Sequence, residues 1–248
     1  MKKLILLVRW GLVLSILMIT GSVGLVLVIV SFGTLRNLLN RYYLNYISLF
    51  ILRINGYKPE LPSLKEFSDH RVLYIFNHNS YLDIFLLSGV GLSNIRYLLS
   101  EKTLIYIPLV LSAKALGTFY IPRKKHHRRR LKFLIKTTKF LKRNKQISIV
   151  GSAEGVHKFV YGIANFNRGI FHMAVEAKLN IVPLYILIPK DSCTTDYTNA
   201  KGGRLKLEVH QEIDTSSWSI DKLDEHISEV RQVYVNRFNE LNPNEKMK

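Results

Sequence analysis

The chain has 248 residues, with 36 Lys and Arg against 18 Asp and Glu, a formal charge of +18, and 48% hydrophobic residues. That length accommodates one α/β domain plus an appendage and is enough to bury a core of ordinary size. The single cysteine, Cys193, excludes an intramolecular disulfide and fits a reduced, cytoplasm-facing setting, while the positive excess suits an anionic partner: nucleic acid, an anionic membrane surface or phosphorylated small molecules.

From Trp10 to Phe32, 23 consecutive residues carry no charge. As an α-helix they reach about 34 Å, enough to cross a bilayer. The run is too long for the apolar region of a secretory signal, and no small-residue cleavage site follows it. Two forms stay open for this 1–33 membrane anchor: a membrane-embedded helix, or a helical hairpin bent at Thr20-Gly21-Ser22-Val23-Gly24. Lys2, Lys3 and Arg9 precede the run and Arg36, Arg41, Arg53 and Lys58 follow it, so flanking charge sets no strong orientation and suits the hairpin somewhat better. Residues 34–62 follow as an interfacial helix and linker. Leu35 to Ile54 places Tyr42, Tyr43, Tyr46, Phe50 and Arg53 as interfacial anchors, or else packs as an ordinary core helix.

Residues 63–248 form the remaining domain. Strand-like runs fall at about 71–76, 118–122, 146–150, 181–188 and 204–210, with helical patterns at about 81–90, 127–143 and 168–178 between them. A last helix, about 221–241, carries the stripe Leu223, Ile227, Val230, Tyr234, Phe238 and Leu241. This alternation predicts an α/β fold, a mixed central sheet flanked by helices. No repeat is visible, and Gly89-Val90-Gly91 follows a helix and lacks a further glycine, so no dinucleotide fingerprint is present.

The first strand leaves the sheet through Asn77-His78-Asn79-Ser80-Tyr81-Leu82-Asp83. A neutral imidazole can take a proton from a hydroxyl near neutral pH, and a carboxylate beside it fixes its tautomer and stabilises the imidazolium. Five residues on one helix would turn the two groups about 140° apart, so His78 belongs on the turn and Asp83 in the first turn of a helix running from Tyr81 through Leu87 with Ser80 as N-cap. The alternative is that Ser80 and Asp83 form only a capping box and His78 is incidental.

Further blocks follow in order: Gly117-Thr118-Phe119-Tyr120-Ile121-Pro122-Arg123, then Ser152-Ala153-Glu154-Gly155-Val156-His157-Lys158, then Phe166-Asn167-Arg168-Gly169, then Ile181-Val182-Pro183. With the N-H-x-S-x-x-D run at Asn77 to Asp83, they resemble the glycerolipid acyltransferase family that includes 1-acylglycerol-3-phosphate acyltransferases, over roughly residues 34 to 215. The third block departs from the family's F-P-E-G-T-R-S: Glu154 and Gly155 match, Ser152-Ala153 replaces Phe-Pro, and His157 stands at the Arg position. That departure bears on acceptor identity more than on reaction type.

The resemblance implies direct transfer of an acyl group from acyl-CoA or acyl-carrier protein to a lysolipid hydroxyl, with His78 and Asp83 catalytic and no cofactor or metal. Lysophosphatidic acid is the acceptor implied first. Another lysolipid, or a non-catalytic protein binding anionic lipids, is the alternative. Arg123 offers a planar fork suited to a phosphate, and Glu154, Gly155, His157 and Lys158 complete the expected acceptor site. Lys124 to Arg130 otherwise reads as a solvated basic loop. Expected partners are the lysolipid, the acyl donor and anionic membrane lipids. No nucleic-acid readout module is recognisable, and the active site is expected to face the cytoplasm from the membrane. Cys193, in a polar loop, and Ser80, explained by capping, are not read as nucleophiles. His126-His127 lies in a basic run that repels cations. The apolar stretch Leu104 to Ile121 is either a core helix leading into a strand or part of an acyl-chain tunnel lined by Leu109, Leu111 and Leu116.

Overall fold

The computed structural model describes residues 2–155, 161–192, 202–245 and 247. The apolar run is one continuous helix, α1 (Lys2–Val30). After a turn come α2 (Arg36–Leu38), a π-helical segment (Leu39–Tyr43) and α3 (Leu44–Ile54). The domain continues with β1 (Tyr57–Glu60), β2 (Val72–Phe76), α4 (Asp83–Gly89), β3 (Ile95–Ser100), α5 (Ile107–Ala115), β4 (Phe119–Ile121) and α6 (His127–Arg143). It closes with β5 (Ser148–Ser152), α7 (Arg168–Ala177), β6 (Asn180–Leu187), β7 (Gly203–Val209) and α8 (Leu223–Leu241).

The seven strands lie in the order β1-β7-β6-β2-β5-β3-β4. The β6–β7 pair is antiparallel and the other pairs are parallel, giving the mixed sheet. Parallel neighbours need crossovers, and α4 to α7 supply them. Strand β2 sits mid-sheet and is buried along its whole length, which is why it reads as a continuous apolar run without alternation. Its side chains nevertheless alternate between two cores. Val72, Tyr74 and Phe76 meet Leu44, Leu52, Leu86, Leu87, Ala115 and Leu116 from α3, α4 and the end of α5. Leu73 and Ile75 meet Leu141, Phe171, Met173, Val230 and Tyr234 from α6, α7 and α8.

Two strands escape the sequence pattern. In β1 the run is four residues long and contains Pro59, which an edge strand tolerates. In β3 a buried arginine, Arg96, interrupts the apolar run.

The hairpin alternative for the N-terminus does not form, because the small residues that would permit a bend are used for contact. A Cβ on Gly21 would lie 2.7 Å from both N and Oγ of Ser112, and one on Gly24 would lie 3.5 Å from the Ala115 Cβ. Helices α1 and α5 cross there closely, a common use of small residues between apolar helices. With Val13, Leu17 and Val28 they form the stripe that α1 buries. Its other faces expose Leu12, Ile19, Val26 and Val30.

Leu104–Ile121 resolves into α5 and β4, the core-helix form. Leu109 and Leu116 line a cavity of about 30 Å³ shared with α1, α3 and α4, and Leu111 is not in its wall. That volume is close to one water's share of liquid, far short of an acyl chain. The helix Leu35–Ile54 combines both of its expected readings. It buries Leu39, Leu44, Ile51 and Leu52, and exposes Leu38, Tyr42, Tyr46 and Phe50 four residues apart along the outside.

Candidate active site

Beyond Phe76 the chain runs without regular structure and is held by Asn77. This side chain is fully buried. Its Oδ1 accepts from the Ile186 N–H at 2.7 Å and its Nδ2 donates to the Ile186 carbonyl at 2.9 Å. The amide thus extends the β2–β6 ladder beyond the Phe76–Leu184 pair, and His78 leaves the sheet from a clamped point.

His78 Nδ1 lies 2.6 Å from Asp83 Oδ2. A carboxylate only accepts, so Nδ1 carries the proton, and the proton-accepting nitrogen is Nε2. The Asp83 side chain is 1% exposed and that of His78 20%, so the acid is shielded while the imidazole reaches the surface. The expected helix start at Tyr81 moves to Asp83. Residues 80 to 82 form a turn instead: Ser80 Oγ accepts from Leu82 N at 3.2 Å, and Ser80 N donates to Asp83 Oδ2 at 3.4 Å. One carboxylate oxygen therefore meets both the Ser80 backbone N–H and the imidazole, and the turn removes the rotation that a continuous helix would impose.

Glu154 follows β5 and is 5% exposed. Its Oε1 accepts the His78 backbone N–H at 3.4 Å, and its carboxylate also accepts from the backbone of Ala164. Burial pushes this carboxyl up to about 7, against the pull of those N–H groups. Glu154 braces the His78 loop, and it forms no ion pair with Arg123 among the described residues. Gly155 has φ +80°, and a Cβ there would come 2.6 Å from Asn167 Nδ2. That amide donates to the carbonyls of Glu154 and Ala153, and Asn167 N donates to Ala153 O at 2.7 Å.

Beside this loop a cavity of about 230 Å³ opens at the carboxyl ends of β3, β4 and β5. Lys102, Arg123, Lys124 and Arg130 contribute its charge, and Leu98, Ile121, Phe133, Leu134 and Ile170 its apolar wall. His78 is not in the lining. Ser152 and Gly155, on either side of Ala153-Glu154, belong to the cavity wall. Arg123 is exposed at the rim, its backbone N–H donating to Glu101 Oε1 at 2.8 Å, and Arg129 pairs with the same carboxylate at 2.8 Å. Arg130 donates to Pro122 O at 3.2 Å, tying the cationic loop to α6. The structure thus brings His78, Asp83 and Glu154 into contact at the adjoining ends of β2 and β5, and Gly155 and Arg123 both line the cavity. His157, Lys158 and Cys193 lie outside the described residues. No cluster of metal-binding side chains occurs among the described residues.

Sequence reasoning passed over Asn77 and Asn167 as working residues. Their signal was position: one precedes the histidine and the other lies in the Phe166–Gly169 segment, and each closes backbone groups that the strand ends leave open.

A profile of the Acyltransferase family matches residues 56–187. A 1-acyl-sn-glycerol-3-phosphate acyltransferase of Cocos nucifera is 23% identical over 180 residues, 71% of this chain and 56% of the relative. One from Saccharomyces cerevisiae is 27% identical over 172 residues, 68% of this chain and 56% of the relative. One from Limnanthes alba is 21% identical over 235 residues, 94% and 77% of the two chains. The chain spans about half the length of the first two relatives. The crystal structure of the 1-acyl-sn-glycerophosphate (LPA) acyltransferase PlsC from Thermotoga maritima superposes with a TM-score of 0.61 at 16% identity, covering 100% of both chains, which shows the shared fold.

Proposed function

The chain belongs to the Acyltransferase family, and from that premise we propose a membrane-bound O-acyltransferase that moves a fatty acyl group from acyl-CoA or acyl-carrier protein to the free hydroxyl of a lysolipid. The proposed acceptor is 1-acylglycerol-3-phosphate and the product phosphatidic acid. The observation that carries this reading is the 2.6 Å contact between His78 Nδ1 and Asp83 Oδ2 at the end of β2, beside a cationic cavity.

In the proposed reaction Nε2 of His78 removes the proton from the acceptor hydroxyl as its oxygen attacks the thioester carbonyl. Asp83 stabilises the imidazolium, the C–S bond breaks, the imidazolium gives its proton to the departing sulfur, and the ester and free thiol leave. Arg123, with Lys102, Lys124 and Arg130 on the same cavity, supports a phosphate-bearing acceptor. His157 and Lys158 follow Gly155 in the chain and are proposed to extend that site. Attachment to a membrane is supported by α1, of which Leu7–Val30 is long and apolar enough to cross one. A cytoplasm-facing site is proposed because the donors belong to that compartment.

Membranes containing the protein should release thiol from acyl-CoA or acyl-carrier protein only when a lysolipid is supplied. His78→Ala should lower that rate by about 10²-fold or more. Thiol release without a lysolipid, or an unchanged rate in His78→Ala, would defeat the reading. A second acceptor class is favoured by Ser152-Ala153 standing where the family has Phe-Pro. Arg123→Ala separates the two: it should raise KM for a phosphorylated acceptor and spare an unphosphorylated one.

A further inference from the structure

Two arginines cross the same glycine far from the catalytic loop. Arg96, the second residue of β3, is 7% exposed and donates from Nη1 to the Ile95 carbonyl at 2.7 Å. Arg36, the first residue of α2, donates from Nε to the Ala115 carbonyl at 3.2 Å. A Cβ on Gly117 would lie 2.7 Å from Arg96 Nε and 3.1 Å from Arg36 Cδ, so both side chains run over one shelf that only glycine leaves open. Neither arginine has a carboxylate partner among the described residues. Burial, together with the neighbouring Arg36, draws the Arg96 guanidinium down to about 10, the direction expected of a cation held in a dry site beside another cation. Buried charges are ordinarily paired, and Arg96 donates to a backbone carbonyl, not to a carboxylate, among the described residues.

The surroundings indicate what the anion is attached to. Arg36 follows the turn that ends α1, where the apolar run stops. Phe32 on that turn is 97% exposed, and Leu38, two residues beyond Arg36, is 56% exposed. An aromatic ring and cations together at the end of an apolar helix are the composition of the headgroup level of a bilayer. The site sits at the amino end of β3, whereas the cavity described above is lined from the carboxyl end of the same strand, at Leu98 and Ser100.

We propose that Arg36 and Arg96 form a second phosphate-binding site, separate from the acceptor cavity, whose ligand is the headgroup phosphate of a membrane phospholipid or a free phosphate group. Each guanidinium keeps further N–H donors beyond the one it gives to a backbone carbonyl, and a phosphate can take these. The phosphate neutralises the like-charged pair, and the exposed Phe32 and Leu38 meet the acyl region of a lipid that carries it.

The test needs no catalytic activity. Thermal unfolding of the full chain is followed in nonionic detergent at matched ionic strength with chloride, with inorganic phosphate, and with micelles containing phosphatidylglycerol or, as control, diacylglycerol. Phosphatidylglycerol should raise the midpoint by several degrees, as expected of a ligand that binds only the folded state, and diacylglycerol should not. A shift with phosphatidylglycerol alone assigns the lipid headgroup, and a shift with both phosphate species assigns a general phosphate site. Arg36→Gln with Arg96→Gln should abolish the shift. Because Arg36 is only partly buried, Arg36→Gln alone keeps the comparison available if the double variant does not fold, and should reduce the shift. Equal shifts in wild type and Arg36→Gln, or no phosphate-dependent shift in wild type, would overturn the site.

Discussion

The two faces of one sheet are covered by layers that meet different surroundings. On one face, α1, the π-helical segment and α3 pack inward while their outer surfaces carry Leu12, Ile19, Val26, Tyr42, Tyr46 and Phe50. On the other, α6 buries Thr137, Thr138 and Leu141 and turns Arg128, Arg129, Lys132, Lys136, Lys139 and Lys142 outward. Helix α8 does likewise, burying Leu223, Ile227, Val230, Tyr234 and Phe238 and exposing Asp224 and Glu225. The difference separates two ways of being helical. An amphipathic helix needs one apolar neighbour and water, whereas a helix that is apolar all round and buries a single stripe needs a second apolar phase. The proposed membrane attachment supplies that phase for α1, and the His78 loop lies at the strand ends between the two layers.

Three measurements break or sharpen this contrast. The largest effect is expected inside the α6–α8 layer: Phe171, fully buried in α7, should cost about 3–5 kcal/mol when replaced by alanine, read from denaturant unfolding in detergent. A smaller loss would mean that this layer is not the one that holds the domain together. Next comes the α1–α5 crossing. Gly21→Leu drives a side chain into the Ser112 backbone and should cost about 1–3 kcal/mol. Gly11→Leu meets nothing within 4 Å and should stay within about 0.5 kcal/mol of wild type. Equal effects would show that α1 does not dock along that stripe.

The third effect lies between the layers and depends on pH. Glu154 titrates at about 7 in the folded protein against an ordinary 4.5. The folded state therefore binds more protons than the unfolded chain between those values, so this carboxyl makes stability fall as pH rises from about 4.5 to 7. Glu154→Gln should remove that slope, seen as a smaller drop in unfolding midpoint across the interval. An unchanged slope would mean that Glu154 is not held in a desolvated position.

Much of the fold was legible because it is written in local periodicity. The expected helix 127–143 coincides with α6, and the five expected strands all form within two residues of their limits. What escaped was β1, shortened by Pro59, and β3, masked by Arg96, because one polar or imino residue breaks a short apolar pattern without breaking a strand. At the site, the block around His78 brings the imidazole and the Asp83 carboxylate together as expected, but the helix start was misplaced by two residues. Capping chemistry at Ser80 is equally compatible with a helix or a turn, and the contact to His78 selects the turn.

The sequence alone determined the α/β class, an apolar segment long enough for a bilayer and the pairing of an imidazole with a carboxylate, since each is a property of neighbouring residues. Tertiary structure decided that α1 stays one continuous helix, because Gly21 and Gly24 are consumed by α5. It likewise decided that Asn77 clamps Ile186, that Glu154 braces the His78 loop, and that Arg36 meets Arg96 over Gly117. Each of these joins residues distant in the chain. Their meeting is set by strand order and by the close packing of side chains over the sheet, information that no local pattern contains.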